Sequence, residues 1–247
     1  MKYLMPKWLQ YLVRQFPGIR KSIGNFNSVQ SAEYCEFDGI RFQFDSRFMD
    51  KKRFVAIAAG AIENDEVTVA QNFLNKDDII VEFGSGLGLA AARVNKAIKP
   101  KKHFCFEANP LVIKYAESLF KLNNMHIKIE NYALGNGMIL PFYALKDYLL
   151  SSFQKPESRD DYSQIDVPSI RCQDVIDRLH PSAIFCDIEG AELDYLDADN
   201  FGETKTIVVE LHPSIYGHGG VKQFYKKIEK HGFKWQMTKG DTHCFTK

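Results

Sequence analysis

The chain has 247 residues, 32 Lys+Arg against 31 Asp+Glu and a formal net charge of +1. Hydrophobic residues make up 45% and aromatics 13%; that excludes extended disorder and leaves enough apolar side chain for a sizeable core. So neutral a chain lacks the basic field of a dedicated nucleic-acid binder, and no nucleic-acid partner is expected.

The neutral sum hides an asymmetry, because Lys2, Lys7, Arg14, Arg20 and Lys21 all precede the first acid, Glu33. Residues 1–24 are predicted as a short basic amphipathic helix with Leu4, Trp8, Leu9, Tyr11, Leu12 and Phe16 as its apolar set, ended by Pro17-Gly18. Such a helix either packs on the domain or makes a peripheral contact with an anionic membrane surface. Pro6, Lys7 and Arg14 interrupt the stretch, so it is not expected to act as a signal peptide. No run approaches the roughly 18 apolar residues that span a bilayer. Five scattered cysteines, Cys35, Cys105, Cys172, Cys186 and Cys244, give neither a zinc pattern nor a disulfide framework. A reducing, cytoplasmic setting is expected.

Alternation of Phe37, Ile40, Phe42 and Phe44 about Asp38-Gly39 predicts a β-hairpin. We divide the chain here into an extension of basic helix and β-hairpin, residues 1–50, and a main domain, residues 51–247. A helix from about residue 60 to 73 leads into strand–helix alternation. Strands are predicted at 79–83, 103–106, 126–130, 183–187 and 206–211, with helices ending near residues 98 and 122, one starting near 191, and one over 220–231. Residues 233–237 and 242–245 flank Lys239-Gly240 as a terminal antiparallel hairpin. Buried strands alternating with helices imply an α/β, doubly wound, mostly parallel sheet. The polar stretch 145–169 has no clear period and is expected to be a long loop over the active face.

Four strand ends carry chemistry. Glu82 is followed by Gly84, Ser85, Gly86 and Gly88, a turn whose glycines admit a ligand close to the backbone. A nicotinamide or flavin fingerprint wants Gly or Ala at position 89, where this chain has Leu89. Glycine at Gly88 together with the preceding acid suits S-adenosylmethionine better than a pyrophosphate. After the second strand, Glu107-Ala108-Asn109-Pro110 places a carboxylate where a ribose binds. After the fourth come Asp187, Glu189 and Glu192, the last read as a possible helix-capping acid. After the fifth come Glu210 and His212, two apart and so on one face of an extended chain.

The series VEFGSGLG, FEANP, NYALGN, CDIEGAELDYL and VVELHP resembles the FkbM family of S-adenosylmethionine-dependent methyltransferases over roughly residues 60–235. Residues 169–176, SIRCQDVI, resemble the family's segment before the fourth strand, with Asp174 in its Asp place. The usual first motif, Asp-Ile-Gly-Ala-Asn-x-Gly, is altered here to Glu82 with Ser85-Gly86. The resemblance implies a class I methyltransferase with seven strands, S-adenosylmethionine as cofactor, and O-methylation of a sugar in a polysaccharide, glycolipid or secondary metabolite. The cofactor residues are then Glu82, Gly84, Ser85, Gly86, Gly88, Glu107, Ala108, Asn109 and Asp187, with Asn131 and Ala133 bordering the adenine. His212 is expected to take the proton of the acceptor hydroxyl, oriented by Glu210 or Asp187, with Glu189 or Asp187 on the acceptor hydroxyls or the cofactor's amino group. No metal is assigned. Asp187, Glu189, Glu210 and His212 offer ligands to Mg²⁺, but without tight spacing, so that reading is not favoured. Two rivals are a catalytically idle cofactor-binding scaffold and a nicotinamide-dependent oxidoreductase.

Overall fold

The computed structural model describes residues 33–145, 153, 160 and 162–247. The predicted basic helix at 1–24 lies outside the described residues, as does nearly all of the predicted loop up to residue 161. The chain divides between Asn64 and Asp65 into two compact units.

In the first unit, β1 (Tyr34–Phe37) pairs antiparallel with β2 (Ile40–Gln43). Asp38 and Gly39 between them both have positive φ, 53° and 70°, which gives a tight turn the twist its strands require. Helix α1 (Lys51–Ala58) is capped by Asp50, which accepts from the Arg53 amide at 2.8 Å. Phe54 sits edge-on to Phe42 and Phe44, with centroids 5.5 and 5.4 Å away. The sequence reading did not anticipate α1, whose core FVAIA runs apolar without a polar face to mark a helical period.

The second unit starts in α2 (Asn64–Phe73) and continues through β3 (Ile79–Phe83), α3 (Leu89–Ile98), β4 (Lys102–Phe106), α4 (Pro110–Leu122) and β5 (Ile127–Glu130). Then come β6 (Ala133–Leu134), β7 (Ile139–Leu145), β8 (Tyr162–Ile170), α5 (Cys172–Leu179) and β9 (Ala183–Cys186). The last elements are α6 (Glu192–Tyr195), β10 (Thr206–Glu210), α7 (Pro213–Glu229), β11 (Lys234–Lys239) and β12 (Thr242–Thr246).

Seven strands form one sheet in the order β11-β12-β10-β9-β3-β4-β5. The five from β10 to β5 are parallel, and β12 runs antiparallel to both β10 and β11. Alternate residues of each strand serve opposite faces. Val81, Phe83, Ile184, Cys186, Ile207 and Val209 join one core cluster, whereas Ile80, Ala183, Phe185 and Val208 join another. Both faces are therefore covered, which is why these strands read as continuous apolar runs. The sheet order reverses between β3 and β9, and the carboxyl ends of strands at such a switch point are where open α/β sheets bind ligands.

Two readings from the sequence need correction. Residues 162–169, assigned to a loop, belong to β8, which pairs along its length with β7 and, at Ser169 and Ile170, with β6. Only Ile165 and Val167 give β8 an apolar side, Ile170 lying on the opposite face, and Asp166, Pro168 and Ser169 mask the alternation; its register is supplied by β7. Helix α7 begins at Pro213, seven residues before the predicted start, and is broken at Gly217 (φ 68°, ψ 170°). The glycines at 217, 219 and 220 lowered the helical signal there. No helix among the described residues is long and apolar enough to cross a membrane.

Candidate active site

The loop after β3 turns through Gly84, Gly86 and Gly88 at φ of 80°, 52° and 77°. Gly84 is required by contact as well as by angle, since a Cβ there would stand 1.6 Å from the backbone oxygen of Asp187. A Cβ on Gly88 would fall 2.7 Å from the Phe120 ring. The loops after β3 and β9 thus touch backbone to backbone. They are tied further by the Asp187 amide donating to the Phe83 carbonyl (3.0 Å), and the Gly84 amide ties the glycine turn to β4 by donating to the Phe106 carbonyl (2.9 Å).

Glu107, buried beyond β4, accepts from the Gly86 amide through Oε2 and from the Asn109 amide through Oε1, both at 2.7 Å. Burial pushes its pKa up to about 7, although the amides of Asn109, Gly86 and Ala108 pull the other way and Glu82 adds to the rise. Each carboxylate oxygen keeps a lone pair free. A buried acid with one open acceptor site per oxygen fits a vicinal diol, so these residues suit the ribose of S-adenosylmethionine. Asn131 donates from Nδ2 to the carbonyls of Glu107 (2.8 Å) and Ala108 (3.0 Å) and so holds this loop. Asn109 caps α4, accepting from the Leu111 amide at 3.0 Å, with Pro110 in the first turn.

On the other side of the switch point, His212 follows β10 and heads α7. Its Nε2 lies 3.4 Å from Glu189 Oε2 and 3.8 Å from Asp187 Oδ1, and its Nδ1 lies 3.0 Å from Glu192 Oε1. The Nδ1 contact is short but lies off the ring N–H axis, an ion pair rather than a straight hydrogen bond. Burial alone would lower the His212 pKa; Glu189, Glu192 and Asp187 more than offset it and raise it to about 11. The Asp187 pKa is raised well above the usual carboxylate range by burial and by Glu189, with His212 opposing. Glu210 is pushed up to about 9 by burial and by Asp187 and Glu66. Oxygens of Glu66, Asp187 and Glu210 all lie within 4.8 Å of one another, close enough to share protons or a single cation. Oδ1 of Asp187 is buried with no hydrogen-bond donor among the described residues. The cluster gathers several carboxyl groups around the His212 ring.

The expected site residues therefore converge in two groups across the switch point: Gly84, Ser85, Gly86, Gly88, Glu107, Ala108, Asn109 and Asn131 on one side, Asp187, Glu189, Glu210 and His212 on the other. Two stand apart. Glu82, 2% exposed, turns into the sheet and meets His103 Nε2 at 2.9 Å. Ala133, 2% exposed, lies in β6 within a small cluster with Phe142, Ala144 and Val167. The sequence reading missed Glu66 and Tyr216 and gave Glu192 only a capping role. Tyr216 had a signal in its spacing, four residues beyond His212 on a helix; Glu66 had none.

This sheet order, the glycine turn at the reversal and a carboxylate after the second parallel strand define a class I methyltransferase. The family model described as the Methyltransferase FkbM domain matches residues 78–235, and the chain belongs to this family of S-adenosylmethionine-dependent methyltransferases. Among solved structures it is similar to M. jannaschii TYW2 in complex with AdoMet, at 16% identity over 86% of this chain and 82% of that one, TM-score 0.49. It is also similar to P. horikoshii TYW2 in complex with MeSAdo, at 11% identity over 98% and 83%, TM-score 0.48. A methyltransferase from Pyrococcus furiosus matches at 11% identity over 98% of both chains, TM-score 0.46. None of the curated proteins compared with the chain matches it.

Proposed function

We propose that this methyltransferase acts on a hydroxyl, in a sugar of a polysaccharide, glycolipid or secondary metabolite. The observation that carries this reading is His212, set among Asp187, Glu189 and Glu192 beside the glycine turn. A hydroxyl is a poor nucleophile until its proton leaves, and this cluster exists to hold protons. S-adenosylmethionine, when bound, supplies a methyl group made electrophilic by its sulfonium. Glu107 accepts the ribose hydroxyls. The backbone of Gly84, Ser85, Gly86 and Gly88 would let the methionine part approach, while Ala108, Asn109 and Asn131 would border the nucleoside. Asp187 Oδ1 takes a donor from the acceptor hydroxyl or the cofactor's amino group. The proton passes to the coupled pair of His212 Nε2 and Asp187, and its residence belongs to the pair rather than to either atom. Holding acceptor and methyl in line supplies much of the remaining rate.

Such a site accepts protons only in its less protonated forms. With His212 held to about 11 and Glu210 to about 9, kcat/KM should climb from pH 7 to 10. His212→Ala should lower kcat by about 10²–10⁴-fold and leave affinity for S-adenosylhomocysteine unchanged. A flat pH profile, or a fully active His212→Ala, would remove the proton-carrier role. The acceptor class is tested by mass spectrometry of glycans from cells lacking the gene, which should be lighter by a methylene, about 14 Da. No difference in any glycan or glycolipid fraction would overturn the sugar reading. EDTA should leave turnover unchanged; loss restored by Mg²⁺ would instead put a cation among Glu66, Asp187 and Glu210. For residues 1–24, we propose a helix that packs on the domain, with peripheral contact at an anionic membrane near a lipid-linked acceptor as the alternative; unchanged membrane sedimentation after their deletion would exclude the alternative.

A further inference from the structure

Glu192 is the only acid of the DIEGAE segment that is wholly enclosed, at 0% exposure. Its Oε1 accepts the amides of Ile188 (3.2 Å) and Gly190 (3.0 Å), and the same oxygen faces His212 Nδ1 at 3.0 Å. Its Oε2 accepts from the Tyr216 hydroxyl at 3.2 Å, and the Tyr216 oxygen in turn accepts the His212 backbone amide at 2.5 Å. One carboxylate therefore grips three things. It holds the turn that carries Asp187 and Glu189, which passes through left-handed backbone at Glu189 (φ 53°) and Gly190 (φ 99°). It meets the His212 ring on the side away from Asp187. Through Tyr216 it also reaches the backbone of His212. A helix-capping acid would need none of the last two contacts.

We propose that Glu192 is the positioning residue of this site, a buried counter-ion that anchors His212 through Nδ1 and thereby leaves Nε2 to face Asp187, Glu189 and the acceptor. The inference rests on the reading of His212 as the proton carrier. Its physical basis is general: a buried carboxylate 3.0 Å from one ring nitrogen pairs with the charged ring on that side, and the other nitrogen is left to exchange protons. Fixing the ring to a buried acid is worth more than fixing it to a solvated one, because the surrounding dielectric is low. Glu189 and Asp187 meet the ring at longer distances and on its reactive side, so neither can serve as the anchor. Tyr216 acts as a brace, coupling the start of α7 to the same carboxylate.

The test is ¹⁵N and ¹H NMR of the His212 ring in the full chain saturated with S-adenosylhomocysteine, comparing the parent with Glu192→Gln. Glutamine keeps the shape and an oxygen for the two amides but removes the charge. The proton affinity of His212 should fall at least about tenfold, one pKa unit or more, and its Nδ1 signal should move, while S-adenosylhomocysteine affinity stays within about twofold on calorimetry. A purely structural Glu192 would leave the ring signals where they were, and that result would overturn the proposal. Should Glu192→Gln fail to fold, Tyr216→Phe decides. Loss of its hydroxyl leaves Glu192 more basic and should raise His212's proton affinity, and an unmoved ring would overturn the proposal. Failure of the proton-carrier reading itself is scored separately, by methyl transfer in His212→Ala.

Discussion

Glu107 has both a donor on each oxygen and almost no access to water, and the second fact outweighs the first. Its pKa, raised to about 7, puts it between ionised and neutral forms near neutral pH. A carboxylate that accepts ribose hydroxyls does so better when ionised, so bound S-adenosylhomocysteine should favour the charged form. Calorimetry should show affinity about tenfold weaker at pH 6 than at pH 8, since only the ionised fraction binds well. Glu107→Gln should abolish most of that pH dependence. At this scale the sequence was a partial guide. Strand-end position pointed to Glu107, Asp187 and His212, because a residue leaving a parallel strand has few places to go. Glu66 and the anchoring side of Glu192 were invisible, since each matters only through a neighbour brought from elsewhere in the chain.

The glycine turn after β3 owes its residues to a neighbouring element. Gly84 has room for no side chain because the Asp187 carbonyl occupies that space, and its φ of 80° would strain any other residue by about 1–3 kcal/mol. Gly84→Ala should therefore push apart the loops after β3 and β9. Expected results are a lower melting temperature and lost calorimetric binding of S-adenosylhomocysteine; binding at the parent affinity would show that the two loops move independently. Elements with strong periods were legible: the strands β3, β4, β9 and β10, the α3 and α4 helices, and the terminal hairpin. Those that depend on partners were not. The pairing of β8 with β7 compensates for its poor alternation, and α7 survives Gly217 by breaking into two segments, the first held by Tyr216 turning back to the His212 amide.

For the molecule as a whole, the acid–histidine cluster makes stability depend on pH in one direction. His212 has a folded pKa of about 11 against a reference of 6.5. Its contribution is fully present below about 6.5 and is lost as pH rises through 11. Glu210, at about 9 against 4.5, also binds its proton more tightly when folded, so the native state is penalised as pH rises from 4.5 towards 9. Both effects have the same sign between pH 7 and 9. The melting temperature should fall from pH 7 to pH 10 by at least about 2–4 °C, the shift produced by about 1 kcal/mol in a chain of this size. Glu210→Gln should flatten the slope, and a melting temperature that rises with pH would show that the cluster is not charged as described.

Sequence by itself determined the doubly wound sheet, the glycine turn, the family and the set of strand ends at which chemistry collects. Those features follow from local period and from residue types whose backbone or charge has few uses, and they can be read along a line. Tertiary structure alone decided which acids lie together, which one meets Nδ1 of His212 and which meet Nε2, and that Glu82 turns inward to His103. Those depend on distances of 2.9 to 3.8 Å between residues far apart in the chain, and electrostatic coupling follows distance and burial rather than sequence order.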